Sequence, residues 1–237
     1  IHERLVGSEM CIRDRIYSDQ DARVYAIAKE GEPMGNLYGT GFKRTEKGEI
    51  IVDATGLPIA DPTLVKLGNY NPDFIMGFYN KFTYKNFSLD FLIDWHQGGV
   101  FVSRTFGMGM ESGVLDKTEN RNPEDMVIDG VIWDETKEEY VKNTIQVSPR
   151  DYYRNLYRRY HETQSTFSAT YVKLREVKLG YQFPSKWLSK TPIKNLGLSF
   201  VARNLFMWTK DQDYVDPEAI TYEGASATPG VEEMSYP

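Results

Sequence analysis

The sequence has little cysteine and no long hydrophobic run. Cys11 is the single cysteine among 237 residues, which excludes an intrachain disulfide and a cysteine-rich zinc or iron–sulfur site. No apolar stretch approaches the roughly 18 residues of a membrane-spanning helix, and the longest are short clusters such as Leu205–Trp208. The net charge of −6 argues against a nucleic-acid partner. Hydropathy does not exclude a membrane β-barrel, because its strands show only alternation.

Aromatic residues are abundant, at 14% of the chain, and many recur at every second position. Apolar residues occupy the even positions of Phe74–Tyr84, apart from Asn80. Two further runs are Phe87, Leu89, Phe91, Ile93 and Trp95, and Leu196, Leu198, Phe200, Ala202, Phe206 and Trp208. A period of two predicts strands with one apolar and one polar face.

The segment Ser168–Phe183 alternates too, but its apolar face switches halfway. The apolar residues Val172 and Leu174 occupy even-numbered positions, whereas from Val177 onward the apolar residues occupy odd-numbered positions. One extra residue in a strand produces such a switch. The sequence therefore predicts a β-bulge near Arg175–Glu176.

Other segments give weaker strand signals and one helix signal. Ala22–Ala28 and Gly35–Arg44 are predicted as strands. Pro149–Glu162 is the only predicted helix, with Ser148 as N-cap and proline at its first position. Its tyrosines recur at helical spacing among arginines, which is better explained by a packed tyrosine face than by nucleic-acid contact.

Connections between the predicted strands alternate in length. Those at Gly31–Met34, Lys85–Asn86 and Pro184–Lys194 are short, and those at Thr45–Asn71, Thr105–Thr166 and after Lys210 are long. Short turns on one side and long loops on the other are typical of outer-membrane barrels. The strand from Phe87 to Trp95 measures about 27 Å, which projects to roughly 20 Å at a tilt of about 40°, close to the ~25 Å apolar band of such barrels.

These patterns predict an all-β fold that forms part of a transmembrane antiparallel β-barrel. We expect about seven strands, with long extracellular loops and one short loop helix. From the alternation alone, a soluble β-sandwich that acts as a carbohydrate-binding module stays an alternative, because its strands are also two-faced. A sandwich would bury Phe87, Leu89, Phe91 and Ile93 against a second sheet.

Six segments of the chain, in order, resemble one known family. They are GNYNPDFIMGF (68–78), YKNFSLDF (84–91), YVKLREVKLGYQFP (171–184), ARNLFMWT (202–209), YVDPE (214–218) and SYP (235–237). Together they are similar to the C-terminal barrel region of SusC/RagA-type TonB-dependent outer-membrane transporters. The resemblance covers roughly Ala22–Pro237 and implies a segment of a 22-stranded barrel.

The resemblance also implies partners and a function. Members of the family sit in the outer membrane, pair with a SusD-like surface lipoprotein, and import oligosaccharides or peptides with energy delivered through TonB. The plug domain, the TonB box and the final strand of the family have no counterpart in this sequence. We therefore expect residues 16–237 to be a fragment of such a receptor, which would meet the TonB complex through a missing N-terminal region.

The first fifteen residues are expected to be foreign to the protein. Leu5–Asp14 back-translate as CTC GTG GGC TCG GAG ATG TGT ATA AGA GAC, which resembles a common transposase-based sequencing adaptor read in frame. Arg4 and Arg15 fit the flanking adaptor bases. The sequence thus predicts that residues 1–15 are an adaptor-derived, non-native leader.

Four residues on predicted polar faces are candidates for substrate contact in a barrel lumen. They are Asp90, Asp94, His96 and Arg203. Alternate residues of one strand converge poorly on a metal ion, so we expect no metal and no cofactor there.

An acidic loop offers oxygen ligands of the kind that calcium prefers: Asp211, Asp213, Asp216 and Glu218. It lacks the glycine and the spacing of an EF-hand, so a solvated loop explains it better.

Motifs for catalysis are missing from the sequence. No nucleophile elbow, P-loop or dinucleotide fingerprint occurs. Acid pairs such as Glu124 and Asp125 are adjacent in predicted loops rather than opposed across a cleft, as a glycoside hydrolase requires. An enzyme is therefore the third hypothesis, and we predict no catalytic residue.

Overall fold

The computed structural model describes residues 13–19, 24–158, 161–211, 214–218 and 230–232. Thirteen strands and three α-helices occur in these residues. The strands are β1 (Arg13–Asp19), β2 (Val24–Lys29), β3 (Asn36–Phe42), β4 (Ala60–Asn69), β5 (Phe74–Tyr84), β6 (Phe87–Gln97), β7 (Val100–Ser103), β8 (Val131–Asp134), β9 (Glu139–Lys142), β10 (Thr166–Ser168), β11 (Tyr171–Gln182), β12 (Gly197–Thr209) and β13 (Val231–Glu232). The helices are α1 (Arg104–Ser112), α2 (Pro149–Tyr157) and α3 (Ser185–Leu188). None of the helices described is long and apolar enough to cross a membrane.

The chain divides into two units. The first unit comprises Ile1–Asn71, Val100–Phe167 and Asp213–Pro237, and the second unit comprises Pro72–Gly99 and Ser168–Gln212. The all-β prediction is confirmed for both units, because helices are few and short.

The second unit is a four-stranded antiparallel sheet in the order β12-β11-β6-β5. Strand β5 has the predicted bounds, and the tight turn Lys85–Asn86 joins it to β6. Lys85 adopts a φ of 52°, which lets a two-residue turn match the right-handed twist of the strands. The predicted bulge is confirmed: the pairing of β11 with β6 and with β12 shifts between Leu174 and Glu176.

One predicted strand is broken. The connections predicted at Lys85–Asn86 and Thr105–Thr166 leave one continuous strand between them, but β6 ends at Gln97 and α1 begins at Arg104. Gly98 and Gly99 both have φ of 79°, a left-handed conformation that costs glycine little and that ends the strand. The residues after this break form β7, which lies between β10 and β13 in a separate sheet.

The first unit contains a four-stranded sheet in the order β1-β2-β3-β4 and the hairpin of β8 and β9. Its core has two apolar clusters. One consists of Val24, Ala26, Leu37, Val102 and Val231, and the other of Phe106, Met110, Met126 and Tyr153. A buried carboxylate links distant segments, because Glu162 accepts hydrogen bonds from the Thr40 N–H at 3.1 Å and the Thr40 hydroxyl at 2.7 Å.

Helix α1 was not predicted from the sequence, because Gly107 and Gly109 lower its helix propensity. Tertiary contacts explain both glycines. A Cβ at Gly107 would lie 2.9 Å from the Ser165 Oγ, and one at Gly109 would lie 2.9 Å from the Leu115 Cγ. The helix is capped by Ser103 at its start and by left-handed Gly113 at its end.

Three other expectations need correction. Helix α2 begins at the predicted Pro149 but ends at Tyr157 rather than at Glu162, and Tyr153 packs in the core of the first unit as a tyrosine face should. The predicted connection Thr45–Asn71 contains β4, and Thr105–Thr166 contains most of α1, two strands and α2. The polar residues of these connections concealed the elements from the sequence pattern, although β8 and β9 pair with each other as a local hairpin.

The predicted leader lies mostly outside the described residues. Its last three residues belong to β1, whose backbone pairs antiparallel with β2, with Arg13 opposite Lys29. Backbone pairing does not depend on the origin of a sequence, so the non-native leader stays a prediction.

Replacement of Ser103 should destabilise the first unit. Ser103 is fully buried; its hydroxyl accepts the Phe106 N–H at 3.0 Å and donates to Glu232 at 2.6 Å. We expect Ser103→Ala to lower the free energy of unfolding by about 1–2 kcal/mol, as measured by hydrogen exchange of the α1 amides in the full chain. Ser112→Ala, at an exposed position of the same helix, is the control; equal losses would contradict the capping role.

Candidate functional site

The second unit places the alternating residues of four strands on two opposite faces. The register puts Tyr84, Phe87, Tyr181 and Leu198 side by side in a first row. The following rows are Phe82, Leu89, Leu179 and Phe200; Asn80, Phe91, Val177 and Ala202; Phe78, Ile93, Leu174 and Phe206; and Met76, Trp95, Val172 and Trp208. These five rows form the apolar face, in which Asn80 is the one amide side chain.

The apolar face is open over much of its area. Phe87 is 62% exposed and Phe200 is 68% exposed, although both are large apolar side chains. Leu89, Phe91 and Ile93 are half-buried, flanked by neighbouring strands on both sides. The described residues of the second unit include no second sheet that could cover them. An exposed apolar surface of this extent marks a site of contact with a membrane or a partner.

Aromatic rings collect at both ends of the apolar face. At one end Trp95 meets Phe74 edge-on, with ring centroids 5.1 Å apart. At the other end the centroids of Phe87 and Tyr181 lie 4.6 Å apart, and Phe183 continues the cluster. Transmembrane barrels carry such aromatic belts where the apolar band meets the headgroups.

The opposite face of the sheet, the polar face, carries charges of both signs. Its charged residues are Lys81, Asp90, Asp94, Lys173, Glu176, Lys178 and Arg203, with Arg175 from the bulge. All four residues predicted as lumen contacts therefore lie on one face of one sheet.

Ion pairs hold most of these charges in place. The Arg175 Nη2 and Nε donate to one oxygen of Asp94 at 2.6 and 3.1 Å. The Arg203 Nε donates to Glu176 at 2.9 Å. The Lys81 ammonium lies 3.9 Å from Asp90, which is an ion pair but too long for a hydrogen bond.

His96 stacks on Tyr171, with ring centroids 5.1 Å apart and an angle of 11° between the rings. Its Nδ1 is buried and has no hydrogen-bond partner among the described residues. The arrangement positions a polar ring on the polar face.

The sequence pattern missed the partners of the predicted residues. Arg175 and Glu176 were identified only as part of a bulge, and Lys81 was not singled out. These partners could have been found by aligning the two halves of β11, before and after the bulge, with the neighbouring strands. Side chains directly opposite each other on neighbouring strands lie about 5 Å apart.

The described residues hold no group of three or more His, Cys, Asp or Glu side chains able to bind a metal ion. The predicted acidic loop is only partly within them, since Asp213 lies outside. Asp211 accepts the Ser168 N–H at 2.8 Å, and Asp216 accepts the Glu218 N–H at 3.0 Å. These two carboxylates thus contribute to loop structure.

A sheet with one exposed apolar face, aromatic ends and one charged face has the features of a membrane-barrel wall. Comparison with curated proteins gives a specific likeness. The chain is 28% identical over 214 residues to TonB-dependent receptor P3 of Formosa agariphila, covering 81% of this chain and 19% of that protein. It is 29% identical over 195 residues to TonB-dependent receptor P39 of the same species, covering 81% and 17%.

Solved structures agree on the fold. A structure of the RagAB peptide transporter matches 92% of this chain and 23% of its own chain, with a TM-score of 0.53 and 20% identity. The RagAB peptide importer in its closed-closed state matches with a TM-score of 0.50 and 18% identity, over 93% and 26%. The similarity to SusC/RagA-type TonB-dependent receptors is thereby confirmed, and the fold is that of a segment of the RagA barrel.

The chain spans about a fifth of the length of the curated relatives that it matches. No family model matches it.

Two arginine–carboxylate pairs on the polar face should differ in energy. Side-chain exposure is 27% for Arg175 and 16% for Asp94, but 74% for Arg203 and 37% for Glu176. We expect Asp94→Ala to cost about 1.5–3 kcal/mol, because it leaves a half-buried guanidinium without its carboxylate, and Arg203→Ala to cost less than about 1 kcal/mol. Urea unfolding of the full chain in detergent micelles measures both; similar losses would show that burial does not set the strength of these pairs.

Proposed function

We propose that the second unit is part of the wall of an outer-membrane barrel that imports solutes in a TonB-dependent manner. The apolar face would contact lipid, and the polar face would line the lumen. The observation that carries this proposal is the register, which gathers nineteen apolar or aromatic side chains into five rows on one side of the sheet. The names of the curated relatives support it.

In this proposal Asp90, Asp94, His96 and Arg203 form a polar wall for passing substrate. The ion pairs with Lys81, Arg175 and Glu176 keep the carboxylates and the guanidinium of this wall in fixed positions. Fixed charges of both signs offer hydrogen bonds to polar cargo without binding any single group tightly. No covalent step is required, and we propose no enzymatic activity for the chain.

We further propose that the cargo is an oligosaccharide or a peptide. A SusD-like lipoprotein would cover the barrel outside the cell, and the TonB complex would supply energy from inside. RagAB, whose structures are similar to this chain, is a peptide transporter, which supports a peptide as the cargo. The motifs that resemble the SusC/RagA family support the lipoprotein partner and the outer-membrane location.

Residues 1–15 are proposed to be a leader of adaptor origin, followed by a receptor segment at 16–237. Inspection of the nucleotide reads tests this, because the adaptor string must then appear in them. Reads that encode Leu5–Asp14 with a different nucleotide sequence would contradict the adaptor origin and would leave the barrel proposal unchanged.

The soluble β-sandwich is the second candidate. It needs the apolar face to be covered by another sheet, whereas Phe87, Phe200 and Phe206 are each more than half exposed. Lipid accounts for this exposure and a sandwich does not, so the sandwich is the weaker proposal.

A cysteine-labelling experiment separates the two faces. In a Cys11→Ser background, Ser199→Cys places a thiol on the polar face and Phe200→Cys places one on the apolar face of the same strand. With the full chain in lipid vesicles, a membrane-impermeant maleimide should label position 199 at least about tenfold faster, because lipid excludes the reagent from position 200. Equal rates in vesicles would overturn the proposal, and equal rates in urea are the control.

A charge in the middle of the apolar face should be costly in a bilayer. Phe91 lies in the central row, and Leu92 beside it lies on the polar face. We expect Phe91→Arg to destabilise the chain in bilayers by about 2–4 kcal/mol and Leu92→Arg by no more than about 1 kcal/mol. Guanidinium titration of both variants in lipid measures this; a reversed order would assign the lipid to the other face.

A further inference from the structure

One end of the sheet in the second unit carries an excess of positive charge. Two connections meet there: the turn Lys85–Asn86 and the segment 183–196 that joins β11 to β12. Neither connection contains an acidic residue. We call their four charged residues the lysine rim: Lys85, Lys186, Lys190 and Lys194. The connections at the opposite end carry Asp73, Lys210 and Asp211, so the positive charge is confined to one end.

Hydrogen bonds tie the two connections together. The Asn86 Nδ2 donates to the Gln182 carbonyl at 2.6 Å, and the Gln182 N–H donates to the Asn86 carbonyl at 2.8 Å. The Phe183 N–H donates to the Leu196 carbonyl at 2.9 Å, which closes the second connection at its base. The lysine rim is therefore held at the end of a single sheet.

The charge of the lysine rim is not compensated within the described residues. All four side chains are exposed, and none of them forms an ion pair in the described part of the chain. The Lys85 ammonium lies 5.3 Å from the centroid of the Tyr84 ring, a contact that adds no negative charge. On the polar face, by contrast, Lys81, Arg175 and Arg203 each pair with a carboxylate. A local excess of one charge attracts ligands of the opposite sign.

An apolar groove begins at the residue next to Lys85. Its volume is about 510 Å³, and its lining contains all eight side chains of the first two rows of the apolar face. Ligand sites commonly measure about 300–1,000 Å³ and are mostly apolar. The groove is thus of a size and chemistry that can accept an acyl chain.

Aromatic rings connect the groove to the lysine rim. The centroids of Phe87 and Tyr181 lie 4.6 Å apart, and both residues line the groove. Phe183 follows at 5.0 Å from Tyr181, and Trp187 at 6.2 Å from Phe183. Trp187 is 67% exposed and is the neighbour of Lys186 in the chain. Tryptophan and tyrosine prefer the depth at which acyl chains meet headgroups.

We propose that the lysine rim and the groove bind an anionic glycerophospholipid. Its phosphate would accept hydrogen bonds from the ammonium groups of the rim, and one acyl chain would lie in the groove. Such a lipid has the same order of chemistry along its length as this end of the sheet: apolar chain, interface, charge. Four or more lysines beside a membrane segment are typical of anionic-lipid sites. The proposal rests on the proposed function, since the apolar face must face a bilayer, and adds the lipid class that this face selects.

The position of the lysine rim favours a phospholipid over a lipopolysaccharide. Short turns of outer-membrane barrels lie on the periplasmic side, and long loops lie on the outer side. The rim is built around the tight turn Lys85–Asn86 and the short connection after β11. In the proposed barrel it therefore meets the periplasmic leaflet, which consists of phospholipid.

Quenching of Trp187 fluorescence by brominated lipids tests the proposal. In the full chain, the other three tryptophans are replaced by phenylalanine: Trp95, Trp133 and Trp208. The protein is reconstituted in phosphatidylcholine vesicles, and the titrants are phosphatidylglycerol and phosphatidylcholine with bromine on the acyl chains near the headgroup. We expect phosphatidylglycerol to bind about tenfold more tightly, because the lysines attract its net negative charge.

Two triple variants in this background separate the lysine rim from overall charge. The rim variant carries Lys186→Gln, Lys190→Gln and Lys194→Gln. The control variant changes the net charge equally at exposed positions of the first unit, with Lys47→Gln, Lys137→Gln and Lys142→Gln. We expect the preference for phosphatidylglycerol to fall to about twofold or less in the rim variant and to stay near tenfold in the control. Arginine at the three rim positions should retain the preference, since it keeps the charge.

Hydrogen exchange of the β11 and β12 amides confirms that each variant is folded. The proposal is overturned if the two lipids bind equally or if the control variant loses as much preference as the rim variant. It is also overturned if lipid A displaces the brominated phosphatidylglycerol at a lower concentration than unlabelled phosphatidylglycerol does, or if soluble glycerol phosphate displaces it. Any of these results would leave the labelling contrast between positions 199 and 200 intact, whereas equal labelling there would overturn the barrel wall itself.

Discussion

The bulge at Arg175 is the constraint on which the two-faced sheet depends. Side chains of a strand alternate strictly, so a shift of one residue would turn half of β11 over. Val172 and Leu174 precede the bulge and Val177 follows it, and the extra residue puts all three on the apolar face. Arg175, the extra residue that sets the register of β11, also donates to Asp94. One residue therefore determines both the strand pairing and an ion pair on the polar face.

The two units satisfy the hydrophobic effect in different ways. The first unit buries apolar side chains in its own core, with Leu37 and Phe101 fully inaccessible. The second unit leaves Phe87 and Phe200 exposed and pairs its charges on the opposite face. A sheet of this kind is stable where lipid covers one side and water or polar cargo meets the other, because neither face then carries an unfavourable contact.

Much of the second unit could be predicted because its signals are local. Strand β5 has the bounds that its alternation indicated, and the parity switch in β11 revealed the bulge. Helix α1 could not be predicted, since Gly107 and Gly109 are explained only by Ser165 and Leu115, which pack against them. Strand β4 was hidden for a similar reason: its pattern is weak and its partner β3 supplies the pairing.

The sequence by itself determined the class of fold, the apolar face and the positions of Asp90, Asp94, His96 and Arg203 on the other face, because alternation is a property of each strand alone. Tertiary structure decided which charges pair, where Gly98 and Gly99 end β6, and how closely Gly130 approaches the Ile50 carbonyl. The ion pair of Arg175 with Asp94 and the close approach of Gly130 to Ile50 each join residues far apart in the chain. Their energies come from contacts that form only when the strands are in register and the segments have packed.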